Sequence, residues 1–241
     1  MAAPTIERRL ARLRARLAGQ LALGDGAVTL SRAGRRYRLL VPADHDRLLD
    51  EAEADPEEHL PYWAEIWPSG IALADLALER AADLAGQPVL ELGCGLGITA
   101  TAALQAGARL LVTDYSPVAL ALCRYNALRN AGRAPAALQL NWRQPADDLF
   151  RRVAAARGFP VVLAADVLYE QRDIAPLLAL VPRLLRPGGA LWLAEPGRLT
   201  SRRFLEEAAE RGWECISAHA DGPWPDSRVR VGLHVLRPPG A

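Results

Sequence analysis

The chain has no lysine. All 29 of its basic positions are arginine, set against 28 aspartates and glutamates, so the formal net charge is +1 over 241 residues. That balance gives the molecule no overall electrostatic bias toward nucleic acid or an anionic membrane. Cysteine is scarce. Cys94, Cys123 and Cys215 are the three present, and they show neither metal-ligand spacing nor a disulfide framework. All three are expected to be reduced, and buried or inert. The four histidines, His45, His59, His219 and His234, are scattered, so no metal site is expected. No apolar run approaches the roughly 18 residues of a membrane-spanning helix. What remains is a chain that is 51% apolar, enough for a sizeable core. Its length suits one α/β domain with an N-terminal extension.

The most informative stretch is Val89-Leu-Glu-Leu-Gly-Cys-Gly-Leu-Gly97, followed by Leu110-Leu-Val-Thr-Asp114. A short apolar strand runs into three alternate glycines, and Ile98–Ala106 then reads as a helix. Such a turn lets a ligand approach bare backbone. A dinucleotide site needs G-x-G-x-x-G, so that a pyrophosphate can sit on the helix N-terminus. Here that spacing fails after Gly97, and Glu91 would repel a pyrophosphate. Glu91 can instead hold a cationic, amino-acid-like ligand. Asp114, at the end of the second strand, is placed to accept hydrogen bonds from a ribose diol. S-adenosylmethionine (SAM) carries a sulfonium, an ammonium and a ribose diol but no phosphate, and the pattern points to it.

The order of elements is consistent with this. Glu7–Leu21 is an arginine-rich amphipathic stretch, read as a leading helix rather than a transit peptide. Ala27–Val41 alternates around Ala33-Gly34 as a β-hairpin would. Asp44–Glu58 is acidic and reads as an exposed helix or loop. Ile71–Ala85 has helical periodicity. After the glycine turn, Ser116-Pro117 opens a helix that Gly132 stops. Leu138–Trp142, Val161–Val167 and Ala190–Ala194 read as strands three to five, and Ile174–Leu185 as a helix. Ser201 is expected to cap a helix ending at Gly212. Trp213–Ala218 and Val229–Leu236 complete seven strands. The last two are joined without a helix and should be antiparallel. The expected fold is α/β: a Rossmann-like, doubly wound seven-stranded sheet with its last strand antiparallel. Residues 1–60 would form the extension and residues 61–241 the main domain.

With these blocks in view, the sequence resembles the class I, seven-β-strand methyltransferases. Within them it is similar to the protein-lysine methyltransferases, nearest to those acting on the electron transfer flavoprotein β subunit. The matching blocks are Pro61-Tyr-Trp-Ala-Glu-Ile-Trp-Pro-Ser-Gly70, the glycine block, Ala165-Asp-Val-Leu-Tyr-Glu170 and Ala194-Glu-Pro-Gly-Arg198. The resemblance implies that Glu91, Gly93, Cys94 and Gly95 line the methionine side of SAM, with Gly97 completing the turn. It implies that Asp114 holds the ribose, with Tyr115 and Trp142 beside the adenine. Ala165 would touch the cofactor by its backbone, and Trp67 would border both cofactor and substrate channel. Asp166 and Tyr169 form a D-x-x-Y pair with a catalytic role, and Trp63 and Glu170 face the substrate.

The implied reaction is N-methylation of a lysine on a protein, for which a flavoprotein subunit or a ribosomal protein is a candidate. A small-molecule N- or O-methyltransferase is the alternative, and its mark would be a closed apolar pocket instead of an open trough. No nucleic-acid or membrane partner is expected, and the protein is expected to be a cytoplasmic monomer. With no lysine of its own, the chain offers no lysine side chain for self-methylation.

Overall fold

Thr5 opens the first helix: its hydroxyl accepts the Arg8 amide hydrogen at the N-terminus of α1 (Ile6–Ala18), satisfying a donor the helix itself cannot. The computed structural model describes residues 5–53, 60–224 and 228–240. Leu10, Leu13 and Leu17 recur at helical spacing and pack inward, while Arg8, Arg12, Arg14 and Arg16 stay exposed. A hairpin follows, β1 (Leu23–Leu30) paired antiparallel with β2 (Arg35–Pro42). The acidic stretch forms α2 (His45–Glu53), which turns Leu48 and Ala52 inward. Residues 54–58 of that stretch lie outside the described residues. A 3₁₀ turn at Tyr62–Ala64 leads to α3 (Pro68–Glu79) and α4 (Ala81–Leu84). A single helix was expected over Ile71–Ala85. It breaks at Arg80, whose backbone leaves the helical region and whose side chain bonds Asp83.

The main sheet then begins with β3 (Pro88–Leu92), α5 (Ile98–Gln105), β4 (Arg109–Asp114), α6 (Pro117–Ala131) and β5 (Ala136–Gln139). It continues with α7 (Asp147–Ala156), β6 (Phe159–Ala165), α8 (Ile174–Leu184) and β7 (Leu185–Glu195). It ends with α9 (Leu199–Glu210), β8 (Glu214–Ala220) and β9 (Val231–Arg237). The strand order is β5-β4-β3-β6-β7-β9-β8. β5, β4, β3, β6 and β7 pair in parallel, and β9 runs antiparallel to both its neighbours. Helices cover both faces. One core lies against α3, α5 and α6, and the other against α7, α8 and α9. The expected seven-stranded, doubly wound sheet is the one found. Its order reverses between β3 and β6, and ligands bind such sheets in the crevice at that switch point.

Several boundaries move. The third strand was expected at Leu138–Trp142 but spans Ala136–Gln139, because β4 ends at Asp114 and offers no partner further on. Trp142 therefore lies in the following turn. The fourth strand was expected to reach Val167. It stops at Ala165, because Asp166 adopts φ 53°, a left-handed conformation no strand can hold. Ser201 is not a cap: α9 starts at Leu199, which puts Arg198 at the N-cap. Cys94 and Cys123 are buried as expected, and Cys215 is exposed.

The hairpin is stitched to α6 by two asparagines one turn apart. Asn126 Oδ1 accepts the Leu40 N–H at 2.7 Å, and its Nδ2 donates to the carbonyls of Leu40 (3.1 Å) and Leu96 (2.9 Å). Asn130 serves Arg38 in the same way, with both bonds at 2.9 Å. The helix thus presents to the edge of β2 the donors and acceptors a neighbouring strand would offer.

At the other side of the sheet, buried His234 on β9 lies between Glu195 and Ser217. Its Nε2 is 3.3 Å from Glu195 Oε1 and its Nδ1 2.8 Å from Ser217 Oγ. Burial alone would lower the pKa of His234, but Cys215 and Glu195 outweigh it and raise it to about 9.

Two predictions follow from these contacts. Asn126→Ala should lower the unfolding free energy by about 2–4 kcal/mol, since it strips buried backbone groups of their partners. Asn130→Ala, in a half-buried position, should cost about 1 kcal/mol, and equilibrium urea denaturation separates the two. The second concerns pH. A histidine with a raised pKa stabilises fully below its unfolded value near 6.5, and the benefit is lost as pH climbs through about 9. The urea midpoint should therefore fall from pH 6.5 to 9.5, and fall less in His234→Gln. Parallel curves for the two proteins would show that His234 is neutral in the native state.

Candidate active site

The site is assembled at the C-terminal ends of β3, β4 and β6. After Leu92 the chain enters the glycine turn, where Gly93, Gly95 and Gly97 have φ of 66°, 46° and 80°. At two of these positions the need for glycine is also steric. A Cβ at Gly97 would lie 2.8 Å from Cys123 Cα in α6, and one at Gly95 3.2 Å from the Trp63 carbonyl oxygen. The turn is thus pressed between α6 on one side and the aromatic segment before α3 on the other.

Asp114 holds the turn in place. Its Oδ2 accepts the Gly95 N–H at 2.9 Å and its Oδ1 the Ser116 N–H at 3.0 Å. Ser116 Oγ in turn accepts the Ala119 N–H and caps α6. Burial pushes the Asp114 carboxyl up to about 6, against the lowering effect of these hydrogen bonds. Glu91 is buried beside it. Its Oε2 has no hydrogen-bond partner among the described residues. Burial, and after it the charge of Asp114, push the Glu91 carboxyl well above the usual range. Two buried acids, one with an unpartnered oxygen, make the floor of this cleft a place for a cation.

The opposite wall starts where β6 stops. The Asp166 amide donates to the Ala194 carbonyl at 2.9 Å, anchoring the left-handed residue. Its carboxylate is clasped by Arg198, with Nε 2.9 Å from Oδ1 and Nη2 3.4 Å from Oδ2. Burial raises the Asp166 carboxyl, and Arg198 opposes that. The Arg198 guanidinium carbon lies 5.6 Å from the Trp67 ring centroid, within cation–π range. Thr200, in the first turn of α9, donates its hydroxyl hydrogen to the Leu168 carbonyl and ties that helix to the Asp166–Tyr169 loop. Tyr169 faces Tyr62, with ring centroids 4.9 Å apart, and Tyr62 meets Trp67 edge-on at 6.0 Å. Trp67 Nε1 donates to the Tyr62 carbonyl at 2.7 Å. Burial pushes the Tyr169 phenol up, so it stays protonated and able to donate.

The glycine turn, Glu91, Asp114, Asp166 and the rings of Tyr62, Trp67 and Tyr169 open onto one cleft of about 810 Å³, solvent-facing space included, with Arg198 behind Asp166 and outside the lining. The ten residues assigned above to the cofactor all border it, from Trp67 and the glycine turn to Asp114, Tyr115, Trp142 and Ala165. So do Trp63, Asp166 and Tyr169. Trp142 donates its indole N–H to Asp173 Oδ1 at 2.8 Å, and its ring lies 3.6 Å from where a Gly93 Cβ would be. Glu170 is not among the lining residues. Its carboxylate is engaged by Arg172 and, at 3.4 Å, by Arg143. Trp63 also packs against the apolar cluster under α1. Sequence reasoning assigned no role to Tyr62 or Arg198, although both lie inside the quoted blocks.

The family model described as lysine methyltransferase matches residues 57–211 of this chain. The ribosomal protein L11 methyltransferase of Pseudomonas paraeruginosa is 39% identical over 150 residues, covering 58% of this chain and 41% of that protein. The electron transfer flavoprotein β subunit lysine methyltransferase of Mus musculus is 31% identical over 143 residues, covering 57% of this chain and 51% of that protein. The chain therefore spans about half the length, or less, of these relatives. The crystal structure of the N-methyltransferase NodS from Bradyrhizobium japonicum WM9, in complex with S-adenosyl-L-homocysteine, has the same fold. Its TM-score is 0.55 at 19% identity, covering 81% of this chain and 100% of that one. The family model takes in the glycine turn, both acids of the cleft floor and the aromatic wall, and the chain belongs to the lysine methyltransferase family.

Proposed function

We propose that the protein transfers a methyl group from SAM to the side-chain amine of a lysine on a protein substrate. The observation that carries this reading is the continuity of two unlike surfaces in one cleft. The floor is acidic and glycine-rich, while the outer wall is an aromatic cluster with an acid behind it. The floor fits SAM. The unpartnered Glu91 oxygen beside Asp114 suits a ligand carrying positive charge, which would favour the ionised form that burial disfavours in both carboxyls. The glycines leave bare backbone facing the cleft at a turn where a Cβ would press on Trp63 or Cys123. When bound, SAM supplies an activated methyl on a positively charged sulfur.

The remaining work belongs to the chain. A lysine amine with a pKa of about 10.4 is only about 0.04% neutral at pH 7, a deficit of roughly 4.6 kcal/mol. Moving the amine from water onto the rings of Tyr62, Trp67 and Tyr169 favours its uncharged form. Asp166 has lone pairs beyond those taken by Arg198 and can orient that amine by accepting a hydrogen bond. Positioning and exclusion of water supply most of the rate in such a transfer. The mouth supports a macromolecular acceptor over a small one. Leu60 and Tyr62, both bordering the cleft, are large apolar residues left exposed to solvent. The names of the relatives suggest which acceptors to try first: an electron transfer flavoprotein β subunit and ribosomal protein L11.

The direct test is transfer of labelled methyl from SAM to these two proteins and to a cell extract, followed by hydrolysis and identification of methyllysine. Label confined to the small-molecule fraction would overturn the reading. In calorimetry, SAM and S-adenosylhomocysteine should bind and NAD should not. Asp114→Ala should weaken SAM by about 1.5–3 kcal/mol, the range for a hydrogen bond involving a charged group. An unchanged affinity in a folded variant would remove Asp114 from the ribose-binding role.

Asp166→Ala and Tyr169→Phe should act differently, lowering kcat much more than they weaken SAM, because their contacts are made with the acceptor. Weak SAM binding with normal turnover at saturation would reassign the pair to the cofactor pocket.

A further inference from the structure

The lysine-amine reading leaves a difficulty in the outer wall. A bare carboxylate within about 4–6 Å of an ammonium stabilises its charged form, and the charged form cannot accept a methyl. Asp166 is such a carboxylate, yet it is not bare. Arg198 covers one edge of it with two nitrogens, at 2.9 and 3.4 Å. The other charged or titratable groups near this pair are accounted for. Glu195 is held by His234 and by the Gly197 amide. Tyr62 and Tyr169 present phenols. Glu91 and Asp114 lie at the cleft floor, and Glu65 on its lining is met by His45 at 3.0 Å. Among the described residues, Arg198 is the cation that the structure fixes against Asp166.

We propose that Arg198 is a positioning residue for the acceptor: it cancels the charge of Asp166 while leaving outer lone pairs free, so that the aromatic cluster takes up the amine in its uncharged, nucleophilic form. The inference rests on the amine-acceptor reading above. Three features of Arg198 suit the task. A guanidinium keeps its proton at any working pH, so the neutralising charge does not itself titrate. Its fork spans both carboxylate oxygens from one side and leaves two of the roughly four lone-pair positions open. Its place is fixed independently of the acid, by the Trp67 ring at 5.6 Å and by its N-cap position on α9. A fixed cation next to an amine site also disfavours a second cation there.

The test titrates the protein saturated with S-adenosylhomocysteine against n-butylamine, a mimic of the lysine side chain, by NMR between pH 7 and 10. For the wild type, apparent affinity should rise about tenfold per pH unit below the amine pKa, because the neutral form is bound. In Arg198→Gln the dependence should vanish, and binding at pH 7 should be at least about tenfold tighter than wild type, because the exposed carboxylate now captures the ammonium. Arg198→Lys should keep the wild-type slope, and Asp166→Asn combined with Arg198→Gln should restore it. Unchanged S-adenosylhomocysteine affinity shows that each variant is folded. If Arg198→Gln keeps the wild-type slope, the inference is overturned and the amine-acceptor reading stands. If the wild type binds S-adenosylhomocysteine but no n-butylamine at any pH, both fall together.

Discussion

The site depends first on one buried carboxylate. Asp114 ends β4 and spends both oxygens on backbone amides, one in the glycine turn and one at the start of α6. Without it, two turns at the switch point of the sheet would carry unsatisfied donors in a place water reaches poorly. The turn shapes the floor of the cleft, and α6 supports it from behind through the close approach at Gly97. A group that organises the pocket in this way is already desolvated and already aimed. Little reorganisation is left for the moment a ligand arrives.

Charge in this protein is arranged by burial more than by number. A net charge of +1 conceals a cleft whose floor holds two carboxyls pushed upward by burial. The third acid, Asp166, is given a permanent counter-ion. Acids left to wait for a cationic ligand and an acid already neutralised thus share one cavity, separated by the width of the β3–β6 edge. On the proposed reading the difference between the two sides is chemical: the first recognises charge, and the second must avoid stabilising it.

Legibility in the sequence followed physical cause. The glycine turn could be read because left-handed φ and close backbone approach leave few alternatives to glycine, and the acids fall at strand ends fixed by apolar runs. The sheet could be read because parallel strands buried on both faces are nearly pure apolar segments. The boundaries that moved were decided by tertiary pairing. β5 stops where β4 stops, and Asp166 leaves the strand although the residues beyond it are apolar. The Asp166–Arg198 pair spans 32 positions and exists because β6 and β7 are neighbours, a fact no local pattern carries. Tyr62 was overlooked for a similar reason. Three aromatics lie within six residues, and only the 3₁₀ turn decides which ring meets Tyr169.

The asparagine stitch has a consequence for modularity. Asn126 bonds β2 and the Leu96 carbonyl with the same amide nitrogen, and Leu96 lies in the glycine turn that borders the cleft. The N-terminal hairpin and the glycine turn are therefore clients of one side chain. Removing the hairpin would leave the Asn126 amide without its β2 partners while it still held Leu96. The hairpin thus acts as a splint, bracing from outside the residue that tethers the wall of the cleft.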